Sequence, residues 1–144
     1  MDLESKLALE ADQAAVKAFM AENDGLLQRE QQVPGRYWLT MRPRSAPAER
    51  FHVCLTWHVY PHSPPSVAFA DAVGGNVAVP RAWPAISGYA AGSFICKPFT
   101  AEGFGRHPEW ERGPEAWRST GNPFLWVAQV LQDDLDLRYG GRAA

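Results

Sequence analysis

Apolar and polar residues alternate singly from Phe51 to Tyr60. Phe51, Val53, Leu55, Trp57 and Val59 interleave with His52, Cys54, Thr56, His58 and Tyr60. A period of two over that length predicts a half-buried antiparallel strand. Weaker alternations predict further strands over Leu26 to Val33, Arg36 to Arg42 and Ser66 to Ala70. Pro34-Gly35, a loop from Pro43 to Glu49 and Tyr60-Pro61-His62-Ser63-Pro64-Pro65 separate the four strands as turns. Proline fixes φ and lacks an N–H, so the last of these turns cannot continue a ladder.

Helical spacing flanks this meander. From Asp2 to Asn23 neither glycine nor proline interrupts, and Leu3, Leu7, Ala11, Ala14, Ala15, Phe19 and Met20 approximate one face. Asp24-Gly25 stops that helix. Asn122-Pro123 opens a second as cap and first helical residue. Its apolar face is Phe124, Val127, Val130, Leu131, Leu135 and Leu137. Between them, Asp71 to Gly92 is dominated by Gly, Ala and Pro, and a loop this long is usually functional. Lys97 to Gly121 is irregular but carries Phe99, Phe104, Trp110 and Trp117 as anchors. Tyr139 to Ala144 reads as a frayed tail. The expectation is one α+β domain over residues 1–144: an N-terminal helix, a four-stranded antiparallel meander, a long loop and a C-terminal helix.

Composition narrows the classes. The chain has 144 residues, 46% of them hydrophobic, with six tryptophans, enough for a packed core. A net charge of -2 makes no case for nucleic acid or an anionic membrane as partner. Asp2, Glu4, Glu10 and Asp12 occupy the stretch where a secretory signal needs a basic start and an apolar run. Two cysteines do not make a disulfide framework. A cytoplasmic protein with reduced thiols is expected.

Two windows carry a resemblance. Tyr60, Pro61, Pro64, Pro65, Val67 and Phe69 are spaced as Tyr-Pro-x-x-Pro-Pro-x-Val-x-Phe, and Gly92-Ser93-Phe94-Ile95-Cys96 ends the long loop. With the order of elements, these resemble the ubiquitin-conjugating enzyme fold, whose third strand runs into the same turn and whose cysteine follows a Gly-x-Ile-Cys-like segment. The glycine here is one residue further off. The family's His-Pro-Asn before the cysteine is replaced by Trp83-Pro84-Ala85, and its two later helices have no counterpart. Such trimmed chains resemble the bacterial conjugating enzymes of antiphage operons. The resemblance implies an enzyme using no cofactor, with an activating-enzyme-like protein, a ubiquitin-like modifier and a target protein as partners.

The implied chemistry is thioester exchange on Cys96. A thiolate is a strong nucleophile near neutral pH and a tolerable leaving group. Lys97 adjoins it. Without the usual asparagine, the oxyanion needs another donor. Backbone N–H groups near Cys96 come first, with Ser93 and His107 as side-chain candidates. Asn122 is better explained as a helix cap. Cys54, within a strand, reads as structural. His52 and His58 lie about 20 Å apart along one strand face, too far to share a metal. Two other readings remain open. One is a protein-binding module of the same fold without chemistry. The other is a cysteine hydrolase with His107 as base, for which no orienting third group is evident.

Overall fold

A computed structural model describes residues 1–144. The first helix, Leu3–Glu22 (α1), starts at Asp2, whose carboxylate accepts the Ser5 N–H at 2.8 Å. It stops where Gly25 N–H donates to Met20 O at 2.7 Å. A side chain at Gly25 would meet Thr40 O at 2.6 Å, so only glycine lets the chain turn this close to the sheet.

Four strands follow as an antiparallel meander in sequence order: Leu26–Arg29 (β1), Arg36–Met41 (β2), Phe51–Thr56 (β3) and Ser66–Ala70 (β4). Register places Tyr37 opposite Leu55, Leu39 opposite Val53 and Val53 opposite Phe69. These residues, with Met41, Phe51 and Val67, form one buried face. Two helices cover it, α1 and Pro123–Leu137 (α3), and α3 contributes Phe124, Val127, Ala128, Leu131 and Leu135 to the core. The α+β order expected from the hydrophobic pattern is the order observed. Asn122 caps α3, accepting Leu125 N–H at 2.9 Å, and its amide also donates to Asp12 O at 3.0 Å.

Several local expectations are corrected. The third strand ends at Thr56 rather than Tyr60, and the first at Arg29 rather than Val33. The reason lies in the partners. Thr56 pairs with Arg36 and Ser66, the first residues of β2 and β4, so no strand lies beside residues 57–60. Trp57 N–H adds one last rung to the β2 side, to Gly35 O at 2.8 Å, and the pairing stops there. The buried stripe of α1 is Ser5, Leu9, Val16 and Met20, while Leu3 and Leu7 are 69% and 58% exposed. Polar residues turn inward here because Tyr60 requires them. Its N–H donates to Ser5 Oγ (3.0 Å), and its hydroxyl donates to Asp12 Oδ2 (2.5 Å) while accepting Phe124 N–H (3.2 Å). Burial, reinforced by Asp12, pushes the Tyr60 hydroxyl far above the ordinary phenol range. The Tyr-Pro turn is therefore the junction of α1, the sheet and α3.

The two irregular stretches also contain regular structure. A 3-10 turn, Pro80–Ala82, precedes a small hairpin of Tyr89–Ala90 (β5) and Phe94–Ile95 (β6). A short helix, Ala101–Arg106 (α2), and a 3-10 turn, Pro108–Arg112, follow. The segment after α3 is docked, not frayed. Gly140 N–H donates to Ala85 O (2.9 Å), Ala85 N–H to Gly141 O (2.8 Å) and Ala143 N–H to Trp83 O (2.9 Å). Arg142 fastens it further, donating to Glu49 Oε2 at 2.7 Å and lying 4.3 Å over the Phe51 ring. No helix is long and apolar enough to cross a membrane.

Candidate functional site around Cys96

Cys96 stands at the exit of the β5–β6 hairpin. The hairpin is seated by Tyr89 and Ile95, which pair with one another and are buried beside Phe69. Cys96 N–H extends the ladder by one bond, to Gly88 O at 2.8 Å. Gly88 has φ 90° and Gly92 φ 79°, backbone conformations that favour glycine on both sides of the hairpin. The chain then bends sharply at Lys97-Pro98. Thr100, wholly buried, closes the bend. Its hydroxyl donates to Ile95 O (2.6 Å) and accepts Gly103 N–H (2.9 Å), so one side chain ties the end of β6 to the start of α2. Gly103 permits the approach, since a side chain there would lie 2.2 Å from Lys97 O.

Cys96 is half-buried, and its thiol has no hydrogen-bond partner in the protein. Its own N–H is engaged, but the backbone N–H groups of Lys97 and Phe99 bond to nothing in the protein. Lys97 makes no ion pair, and its aliphatic stem runs back over Gly88. Lys97, Pro98 and Phe99 form one wall of an open groove of about 280 Å³, and Trp126, Val130 and Asp133 of α3 form the other. Asp134 sits at its buried end, accepting the Tyr89 hydroxyl at 2.8 Å and facing Arg138 at 3.3 Å. Burial and Asp134 push the Tyr89 hydroxyl well above its ordinary range, so it remains a donor. Thr100, Gly103, Tyr89 and Asp134 all position this region. The Tyr89–Asp134 pair spans 45 positions and has no local signal, whereas Thr100 is the N-cap of a short helix, a signal that a threonine three residues before Gly103 does carry.

The other candidates do not gather at the thiol. His107 ends α2, and its ring stacks on Trp110 with centroids 4.3 Å apart and planes 16° from parallel. Its Nδ1 pairs with Glu109 Oε1 at 2.9 Å, which holds the Glu109 carboxyl below its usual range. No hydrogen bond joins His107 to Cys96. Ser93 is exposed at the hairpin turn and borders a cleft of about 110 Å³ on the outer sheet face, shared with Cys54, Thr56, Ser66 and Glu102. Ser93 is thus grouped with the other cysteine. Burial pushes the Cys54 thiol up from its ordinary pKa.

The segment Trp83-Pro84-Ala85 offers no amide side chain. Trp83 is fully buried with its indole N–H on Val77 O (3.0 Å), and Ala85 is paired with residues 140 and 141. His52 Nδ1 faces Thr40 Oγ1 and His62 faces Glu4, each at 3.2 Å, so the histidines are scattered. Comparison with protein-family models, curated proteins and solved structures finds no match to this chain.

Proposed function

We propose that this chain is a conjugating enzyme for a ubiquitin-like modifier, carrying the modifier as a thioester on Cys96. The observation that supports this reading is the setting of the cysteine. Cys96, a half-buried residue whose thiol makes no hydrogen bond, leads into a braced bend whose Lys97 and Phe99 N–H groups are unengaged and whose residues 97–99 line an open groove. In the first step, Cys96 thiolate attacks the thioester carbonyl held on an activating enzyme. A new C–S bond forms, the old one breaks, and the activating enzyme's cysteine leaves as thiolate. In the second, a target amine attacks, an amide forms, the amine loses its proton and Cys96 thiolate leaves. Each attack builds charge on the carbonyl oxygen, for which the Lys97 and Phe99 N–H groups are the free backbone donors nearest in sequence. The groove between Lys97–Phe99 and α3 accommodates the extended tail of the modifier. A cytoplasmic setting, with reduced thiols and ATP for activation, suits the cycle.

A second reading, a binding module without chemistry, is favoured by Trp83-Pro84-Ala85, where buried indole and paired backbone leave no amide to assist transfer to lysine. The hydrolase reading is weakened by His107, which is committed to Glu109 and Trp110.

The deciding experiment mixes the chain with a candidate activating enzyme, a candidate ubiquitin-like modifier and ATP, then separates the products without reductant. A reductant-sensitive adduct that persists in Cys54→Ala and disappears in Cys96→Ala is expected. Absence of any adduct with a folded preparation and its true partners transfers the assignment to the binding module.

A further inference from the structure

Where β3 begins and β4 ends, a cavity of about 420 Å³ opens between the sheet, the Pro80–Ala82 turn and the docked segment after α3. Its charged and titratable lining is Arg50, His52, Asp71, Arg81 and Arg142. Three arginines and one aspartate thus line it, and Glu49 offsets only Arg142, in a chain whose net charge is -2. The arrangement is built around Arg142. Its guanidinium donates to Arg50 O (2.7 Å), Arg81 O (3.2 Å) and Glu49 Oε2 (2.7 Å). It therefore fixes the backbones from which the other two arginines issue. Of the five N–H groups of a guanidinium, two remain unclaimed, one on each terminal nitrogen.

Arg50 and Arg81 are exposed and make no ion pair. Asp71 is the one acid among these lining groups; its Oδ1 accepts Asn76 N–H at 2.8 Å, which holds that oxygen to its own loop. His52 turns Nδ1 to Thr40, which leaves Nε2 available. Burial lowers the His52 pKa, Arg142 and Arg50 lower it further, and Asp71 opposes them, so the cationic side of the lining outweighs the aspartate at this ring.

We propose that this cavity binds the phosphate end of a small, multiply charged ligand of pyrophosphate or phosphate-ester type. Three guanidinium groups rooted at separate points suit the tetrahedral oxygens of a phosphoryl group, whereas a planar carboxylate is satisfied by a single arginine fork. The volume exceeds one phosphate, and no Phe, Tyr or Trp lines the cavity to form an apolar slot for a base. Recognition is therefore of the phosphate end alone. Because Arg142 belongs both to the pocket and to the docked segment, ligand binding also tightens that segment.

The test is calorimetric and NMR titration of the full chain at low ionic strength with pyrophosphate, with glycerol phosphate and, as a carboxylate of similar charge, with citrate. Pyrophosphate is expected to bind at least about tenfold more tightly than citrate, and Arg50→Gln or Arg81→Gln alone to weaken it about tenfold. The double variant should abolish binding with an unchanged circular dichroism spectrum. Arg50→Lys, keeping charge without the fork, should fall between. Bound pyrophosphate should raise the His52 pKa, and binding of glycerol phosphate would extend the ligand class to esters. Equal affinity for pyrophosphate and citrate, unchanged affinity in the double variant, or no binding to the folded wild type would each overturn the assignment.

Discussion

Replacing Thr100 by valine tests how the bend at Cys96 is held. Valine keeps the shape and loses the hydroxyl, which gives its proton to Ile95 O at 2.6 Å and receives Gly103 N–H at 2.9 Å. Thr100, Ile95 and Gly103 are all buried, so water does not replace what is lost. An orphaned buried group costs about 1–3 kcal/mol, and loss of a helix N-cap about 1 kcal/mol. These losses overlap at Gly103, so a total of about 2–4 kcal/mol is expected. With a urea m-value of about 2 kcal/mol/M, the unfolding midpoint falls by about 1–2 M. Thr100→Ser, retaining the hydroxyl and losing one methyl, should cost about 1 kcal/mol. In a Cys54→Ala background, Thr100→Val should also change the alkylation rate of Cys96, because the bend that carries the thiol loosens. A valine variant as stable as wild type, with the serine variant clearly weaker, would show that methyl packing rather than the two hydrogen bonds holds the bend.

The glycines of α2 should respond in opposite directions. Gly103→Ala drives a methyl onto Lys97 O and should destabilise by about 1–3 kcal/mol, whereas Gly105→Ala, with open space around it, should stabilise by about 0.5–1 kcal/mol in a thermal melt. Tyr60→Phe should cost about 1.5–3 kcal/mol and show strong coupling to Asp12→Ala in a double-mutant cycle; additive effects would deny that the hydroxyl joins α1 to α3. His52 has its folded pKa lowered from 6.5, so the unfolded chain binds the proton more readily. Stability should therefore decline as pH falls below about 6.5 towards the folded value, and His52→Gln should flatten that slope. An unchanged slope in urea melts at several pH values would place its origin elsewhere.

Much of the architecture was legible in local pattern. The Ser66–Ala70 strand, the Asn122-Pro123 helix start and the antiparallel order all follow from periodicity and capping, which act over a few residues. What escaped depends on distant partners. Tyr60 continues the alternation of β3, yet neither neighbouring strand extends that far. The inward face of α1 was misjudged because Ser5 and Asp12 face inward to satisfy a turn more than forty residues away. The β5–β6 hairpin has two residues a side, too short for periodicity to register. Residues 140–143 are polar and glycine-rich, yet they acquire order from Trp83, Ala85 and the carbonyls around Arg142. At the candidate site, Cys96 is nominated by its position in the chain. Thr100 carries the signal of a helix N-cap but none of its burial, because a buried threonine looks like any other loop residue in one dimension.

The Asn122 amide reaches Asp12 O across 110 positions, and the Tyr60 hydroxyl meets Phe124 across 64. During translation, α1 emerges from the ribosome long before either α3 contact exists. Leu9, Val16 and Met20 are fully covered only when α3 joins the early strands against α1. Closure so late in synthesis favours slow folding, on the scale of milliseconds to seconds rather than microseconds, and makes the nascent helix a natural client for a chaperone.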